Sequence, residues 1–561
     1  MKFLGNVLAT IVGIFVFTML FFFGIVLIGA IFGGEENGID VKENSVIVLN
    51  LEDIQNDYAG KYSDPWVTAF SDTKQIGLTD VIDAIGAAKN DENIKGISIL
   101  NNNSSLGMAQ SKAVRDALED FKKSGKFVMA YANTYSQKEY YLNSVANTIY
   151  LNPVGDLDFK GLSSDLLFFK DFQDKTGVKM EVIRHGKYKS AVEPFLENKM
   201  SEANREQITA LLNSIWNSVV TDIAKSRNVS VEKLNEIANG LLARTPEMAK
   251  AQKLVDVVAY EDVYHNAIKK RLQVDSKDEY ESVSILDYTQ KYTTTSVIND
   301  ATDEIAIIYA QGEIQSGEGD VNIIGEGAMR RSISEARNND DVKAIVLRID
   351  SPGGNALTSD LIWREIELTK KVKPVVVSMG NYAASGGYYM AMGTDVIVAQ
   401  PTTITGSIGI FAAWFNVDNF LKNTMGITQD HVNTHANSNF MTSAGALTDF
   451  QKSVVQNSVN KGYLSFTTKA AAGRKMTLQR LQSLAGGRVW TGAQAKQIGL
   501  VDELGGLDKA IEIAASKAKL KPGSYKVAIF PKAKSFVDEL LNSATSETSM
   551  ADRLLAKNMS F

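Results

Sequence analysis

Two stretches of this chain, 248 residues apart, carry the same motifs in the same order. KGISILNNNSS from Lys95 aligns with KAIVLRIDSPGG from Lys343, and ANTIYLNP ending at Pro153 aligns with TDVIVAQP ending at Pro401. Tyr140-Tyr141 falls on Tyr388-Tyr389 at the same offset. Farther on, RNVSVEKL from Arg227 matches RKMTLQRL from Arg474, and TPEMAKAQKLVD from Thr245 matches TGAQAKQIGLVD from Thr491, at offsets of 247 and 246. The starts, SVIVLNLEDI at Ser45 and EIAIIYAQGEI at Glu304, need one indel of about a dozen residues. A fixed offset held this long means two copies of one structural unit. Length alone, 561 residues, would suggest three or four domains. The repeat reduces this to two large units, 45–290 and 304–530, joined by a polar linker, 291–303, and followed by a tail, 531–561.

Each unit alternates short Val- and Ile-rich runs with helical patterns. In the second, Ile305–Tyr309, Ala344–Ile349, Val375–Met379 and Val396–Ala399 read as buried strands and Leu357–Lys371 as a helix. This is the pattern of an α/β fold with parallel strands. Asp449–Ala472 and Leu478–Ala515 read as mostly helical.

Ahead of the repeats, no charged residue occurs from Phe3 to Gly34. Val7–Phe32 contains only Thr10 and Thr18 as polar residues. As a helix its 26 residues would span about 39 Å, more than the roughly 30 Å of a bilayer core. The run is too long for a secretory signal and has no A-x-A cleavage pattern, so it reads as a retained transmembrane signal anchor. Lys2 lies on one side, and Glu35, Glu36 and Asp40 on the other. The positive-inside rule then places residues 1–6 in the cytoplasm and exports everything after the span, with 33–44 as a linker.

Composition narrows the chemistry. The net charge of −6 is spread over a long chain, which gives no basis for nucleic-acid binding. The absence of cysteine excludes thiolate catalysis, disulfides and Cys-ligated metals. Within the second repeat, Asn381-Tyr-Ala-Ala-Ser-Gly-Gly-Tyr388 follows an apolar strand and opens a helix over Gly387–Met392. Ser385 therefore sits at a strand–turn–helix junction, where a hydroxyl can be exposed and helix-start N–H groups can face an oxyanion. Asp350-Ser-Pro-Gly-Gly354, after another strand, could bring bare N–H groups against a ligand. An ordinary packed turn is the competing reading of each motif. Subtracting 248 puts Gln137 in place of Ser385 and Asn103-Ser-Ser-Leu106 in place of Ser351–Gly354, so only the second repeat has both features.

A serine nucleophile needs a base. The four histidines, His185, His265, His431 and His435, lie in no recognisable triad context. A buried lysine is an alternative, because burial lowers its pKa. Ser71-x-x-Lys74 and Ser458-x-x-Lys461 have serine–lysine spacing but no partner motifs.

Gly186–Phe195 (GKYKSAVEPF), Ser351–Gly354 (SPGG), Ala383–Tyr388 (AASGGY) and Thr405–Gly409 (TGSIG) together resemble the bacterial signal peptide peptidase A (protease IV) family in its long, two-repeat form. The resemblance implies a membrane-anchored serine endopeptidase with a ClpP/crotonase-like domain in each repeat and a Ser–Lys dyad shared between them. It implies Ser385 as nucleophile and Lys189 as general base, with Lys187 as the near alternative. It implies Ser407 as the group orienting the lysine, and the backbone N–H groups of Gly354 and Gly386 as the oxyanion hole. No metal or cofactor is implied. The expected partners are peptide substrates, chiefly cleaved signal peptides and other apolar peptides, membrane lipid, and three further copies in a homotetramer. The expected location is the bacterial inner membrane with the catalytic part periplasmic. An envelope quality-control protease would share all this chemistry. A crotonase-type acyl-CoA enzyme and a non-enzymatic scaffold are the readings from other classes.

Overall fold

The computed structural model describes residues 10–21, 24, 41–60, 76–295, 301–442 and 445–531. Residues 10–21 are helical, with exposed apolar side chains such as Phe15, Phe17 and Leu20. Apart from Gly24, the rest of the expected span at 7–32 lies outside the described residues, as do the tail beyond Pro531 and most of the 33–44 linker. Among the described residues no helix is long and apolar enough to cross a membrane.

The first repeat forms a six-stranded sheet. Its strands are β1 (Ser45–Leu49), β2 (Ile94–Leu100), β3 (Phe127–Ala132), β4 (Thr148–Leu151), β6 (Val257–Val258) and β7 (Ser282–Ser284), ordered β6-β4-β3-β2-β1-β7 with parallel pairing. The intervening strand β5 (Lys179–Arg184) leaves this sheet altogether. The second repeat builds β8 (Glu304–Gln311), β11 (Val342–Ser351), β12 (Val375–Ala384), β13 (Val396–Ala399), β17 (Glu503–Leu504) and β18 (Lys526–Phe530) into the same order, β17-β13-β12-β11-β8-β18. β9 (Glu313–Gln315) and β10 (Ile323–Gly325) form a small parallel pair beside it. β14 (Ile404–Gly406) adds to the end of β12, and β16 (Val489–Thr491) pairs antiparallel with β14.

Helices cover these parallel sheets, so strand residues are buried on both faces and read as continuous apolar runs. The helix Leu78–Ala88 shows why the chain folds this way. Leu78, Val81, Ala84, Ile85 and Ala88 recur at helical spacing and form its buried stripe. Each buried large aliphatic contributes about 1.5–3 kcal/mol. The repeats share fine detail as well. Tyr140 Oη donates to the Leu254 carbonyl at 2.8 Å, and Tyr388 Oη to the Leu500 carbonyl at 3.0 Å. Arg227 forks onto Asp256 as Arg474 forks onto Asp502, and each aspartate accepts the N–H of the second residue of a nearby strand, Ile149 of β4 or Ile397 of β13.

Many contacts join the repeats, and three kinds bear on the site. Arg348 of β11 and Asp57 form an ion pair at 2.7 Å, with side chains only 6% and 2% exposed. Asn381 Oδ1 accepts from the N–H groups of Ala109 and Gln110, so the second repeat caps a first-repeat helix, Met108–Lys122, that follows a glycine. The third link is a two-stranded antiparallel ribbon between β5 and β15 (Phe411–Asn416), with Arg184 opposite Phe411 and Lys179 opposite Asn416.

Candidate active site

Ser385 follows β12 directly and precedes the helix Gly386–Ala391. The strand runs five residues past the expected end at Met379, because β14 continues to pair with Tyr382–Ala384. Ser385 has φ 55° and ψ −115°, a strained conformation for a residue with a side chain. Such strain costs on the order of 1–3 kcal/mol and persists only where neighbours enforce it. Here the Ser385 N–H donates to the Gly406 carbonyl at 2.9 Å, and its carbonyl accepts from the Tyr389 N–H at 2.9 Å. The turn leaves the hydroxyl half-buried, in the manner of a nucleophile elbow.

Lys189 arrives from the other repeat. β5 pairs with β15, and the chain then turns through Gly186-Lys187-Tyr188. The Tyr188 N–H donates to the Gly486 carbonyl at 3.0 Å, and Arg184 Nη1 donates to the Lys189 carbonyl at 3.0 Å. Lys189 is 3% exposed. Its Nζ lies 3.0 Å from Ser385 Oγ, 2.9 Å from Ser407 Oγ and 3.1 Å from the Ser407 carbonyl oxygen. The Phe411 ring lies 5.8 Å away. Gly487 permits this close approach, since a Cβ there would fall 2.6 Å from the Lys189 Cα. Burial without a compensating carboxylate lowers the Lys189 pKa from 10.5 to about 8.

Ser407 also has a positive φ, 50°, and its N–H donates to the Arg488 carbonyl at 2.7 Å. Gly354 has φ 151°, and a Cβ there would lie 2.1 Å from the Ile314 carbonyl oxygen. Ile314 bridges this loop: its N–H donates to Gly353 and its carbonyl accepts from Asn355. The N–H groups of Gly354 and Gly386 donate to no described residue. Gly354 N lies 3.4 Å from where a Cβ on Gly386 would stand, so the two glycines adjoin beside Ser385.

The structure thus brings Ser385, Lys189, Ser407, Gly354 and Gly386 together. It does not bring the alternatives there. Lys187 is exposed, with its ammonium over the Tyr188 ring. Ser458 and Lys461 are exposed on the helix Asp449–Gly473, where Ser458 Oγ bonds back to the Val454 carbonyl. Ser71 and Lys74 lie outside the described residues. His185 stacks on Tyr463, His265 bonds to Tyr280, and His431 and His435 sit on an exposed loop.

Sequence reasoning missed the groups that buttress the site. The Asp350 carboxylate accepts from the Tyr382 N–H at 2.9 Å, tying the start of the glycine loop to the strand that ends at Ser385. Burial, reinforced by the charge of Asp57, pushes the Asp350 pKa up to about 6. The Gly486-Gly487 pair is a glycine turn signal that the sequence reading passed over, and its contact with Lys189 depends on the fold.

Comparison with known proteins identifies the family. The model of peptidase family S49 matches twice, at residues 120–275 and 367–521. Protease 4 of Salmonella typhi is 38% identical over 458 residues, covering 80% of this chain and 73% of that protein. Protease 4 of Haemophilus influenzae is 35% identical over 452 residues, covering 79% and 73%. The chloroplastic serine protease SPPA of Arabidopsis thaliana is 32% identical over 497 residues, covering 87% and 71%. With both repeats matched and relatives of this identity covered over more than two thirds of their length, the chain belongs to peptidase family S49 and is a serine peptidase.

Proposed function

We propose that this chain is a membrane-anchored endopeptidase that hydrolyses apolar peptides, chiefly cleaved signal peptides, through a Ser385–Lys189 dyad with no metal or cofactor. The observation that carries the reading is the 3.0 Å contact between Ser385 Oγ and a buried Lys189 Nζ. A neutral lysine amine has two N–H bonds and one lone pair. Ser407 offers two acceptors, its Oγ and its carbonyl, so both N–H bonds can point there and leave the lone pair for Ser385. Lys189 takes the hydroxyl proton as Ser385 attacks the substrate carbonyl, then delivers it to the leaving amine. The N–H groups of Gly354 and Gly386 receive the oxyanion, each contributing roughly 3–4 kcal/mol. Water then releases the acyl-enzyme by the same relay.

An apolar substrate suits the surroundings. On β15, Phe411 lies beside Lys189 and is 40% exposed, and Phe415, farther along the same strand, is 58% exposed. The charge-free run Val7–Phe32 would tether the units 45–290 and 304–530 on the periplasmic side of the bilayer where such peptides lie. The ClpP/crotonase-like fold of each repeat and a homotetramer complete the proposal. The test is cleavage of a synthetic signal peptide by the purified protein and by Ser385→Ala and Lys189→Ala. Loss in both supports the dyad, and unchanged cleavage in either refutes it. Full inhibition by a chelator would point to a metal instead.

A further inference from the structure

Lys189 is the middle residue of a very tight turn. Its φ of −75° and ψ of 70°, with the Ser190 N–H donating to the Tyr188 carbonyl at 2.8 Å, define an inverse γ-turn. A three-residue turn closed by one hydrogen bond fixes its central side chain only as firmly as its two flanks are held.

Both flanks are held by one residue. Gln207, on the helix Glu202–Arg227, is 3% exposed. Its Nε2 donates to the Tyr188 carbonyl at 3.1 Å and to Ser190 Oγ at 2.6 Å. Its Oε1 accepts from the Val489 N–H at 3.4 Å. Val489 pairs with Gly406, the residue before Ser407 and the acceptor of the Ser385 N–H. A single amide thus touches the lysine turn of one repeat and the strand that supports both serines of the other. Asn204, 1% exposed, packs behind it: its Oδ1 lies 3.2 Å from Gln207 Nε2, and its Nδ2 donates to the buried Glu193 carboxylate.

Buried amides on a helix are costly unless their bonds are made. The second repeat dispenses with this one. An offset of 247 places Val454 at the corresponding position, partly exposed on the helix Asp449–Gly473. The amide therefore belongs to the repeat that carries the lysine.

We infer that Gln207 is a positioning residue for the peptidase reaction, clamping the Lys189 turn against the serine-bearing repeat and keeping the amine out of water. The inference rests on the Ser385–Lys189 reading above. The experiment measures kcat/KM against pH for the full chain and for Gln207→Met, Ser190→Ala, their double variant, Lys189→Ala and Ser214→Ala. Ser214 is the control: its hydroxyl meets Thr491 Oγ1 at 2.6 Å across the same interface, away from the lysine turn.

A hydrated lysine regains its proton, so Gln207→Met should move the pH break upward by about one unit. Activity at neutral pH then falls about tenfold and largely recovers at high pH. Ser190→Ala should shift the break in the same direction by less, the double variant should match Gln207→Met, and Ser214→Ala should leave the break in place. An unmoved break in Gln207→Met and Ser190→Ala, with Lys189→Ala inactive, overturns the inference while sparing the dyad. So does a loss by the same factor at every pH, which is what a purely structural role would give. If Gln207→Met does not fold, the break in Ser190→Ala decides. Activity persisting in Lys189→Ala overturns the dyad itself.

Discussion

The buried ammonium of Lys189 has a measurable cost. Its pKa falls from 10.5 to about 8, and desolvation is the cause. A shift of about 2.5 units corresponds to roughly 3 kcal/mol, and deep burial leaves little solvent screening to reduce it. Because the folded-state pKa is the lower one, the unfolded chain binds more protons between about pH 8 and 10.5. Stability from this group therefore rises with pH through that window, and the full penalty applies below about pH 8. Lys189→Met removes the titration and keeps most of the volume. The unfolding free energy of the wild type minus that of Lys189→Met should increase by about 2 kcal/mol from roughly pH 7 to pH 9.5. Other titrating groups are common to both proteins and cancel. Paired urea titrations followed by tryptophan fluorescence at the two pH values read the difference directly. The same shift sets the kinetics. Near pH 7 about a tenth of the lysine is neutral, so kcat/KM should climb about tenfold per pH unit and level off above about pH 8. A stability difference that does not change with pH, together with a kinetic break near 10.5, would refute the claim that Lys189 acts as a desolvated base.

Ser407→Ala removes one of the two acceptors that orient the amine; a hydrogen bond to a charged group is worth about 1.5–3 kcal/mol, so kcat should fall about ten- to hundredfold with little change in KM. Gly354→Ala forces a Cβ to within 2.1 Å of the Ile314 carbonyl and turns the N–H away from the site; kcat on a peptide ester should fall by about two to three orders of magnitude. Arg348→Met strands the buried carboxylate of Asp57 and should cost about 3–5 kcal/mol, seen as a lower urea midpoint, with proteolysis appearing between the repeats.

The fold was largely legible because the long parallel strands announce themselves. Runs such as Ala344–Ile349 are apolar on both faces and recur at a constant offset, and both features survive in β2 and β11. What the sequence hid are the short elements. β16, β17 and β18 have three, two and five residues, too few to show a period, and two of them fall inside the stretch Leu478–Ala515 that reads as helical. The β5–β15 ribbon was equally invisible, because its partners lie in different repeats. The same reason governs the site. Ser385 stands out in its own strand–turn–helix context. Lys189 lies 196 residues earlier and reaches the serine only through that ribbon, so the resemblance to a family could find it and local pattern could not. Arg348, Asp57, Asn381 and Gln207 carry no local signal at all, since each acts across the interface.

The first repeat also explains why one site is made from two copies. At the serine position stands Gln137, and it is bonded in: its Oε1 accepts from the N–H groups of Lys160 and Gly161, and its Nε2 donates to the Gly161 carbonyl. Two residues on, the buried Glu139 carboxylate accepts from Asn102 Nδ2 and from both the N–H and the hydroxyl of Ser104. Ser104 lies on the loop that corresponds to Ser351–Gly354, so its N–H is already taken by the Glu139 carboxylate. The first repeat therefore lacks the serine, and the corresponding loop N–H of Ser104 is bonded to a side chain. The second repeat is deficient in the complementary way. The position matching Lys189 falls near Asn437, on an exposed loop that offers no buried turn for a base. Each copy supplies what the other lacks, which makes the contact between them part of the proposed site. A buried ion pair, a helix capped from the other repeat and a shared ribbon hold the two together because a small displacement between repeats would separate the proposed base from its serine.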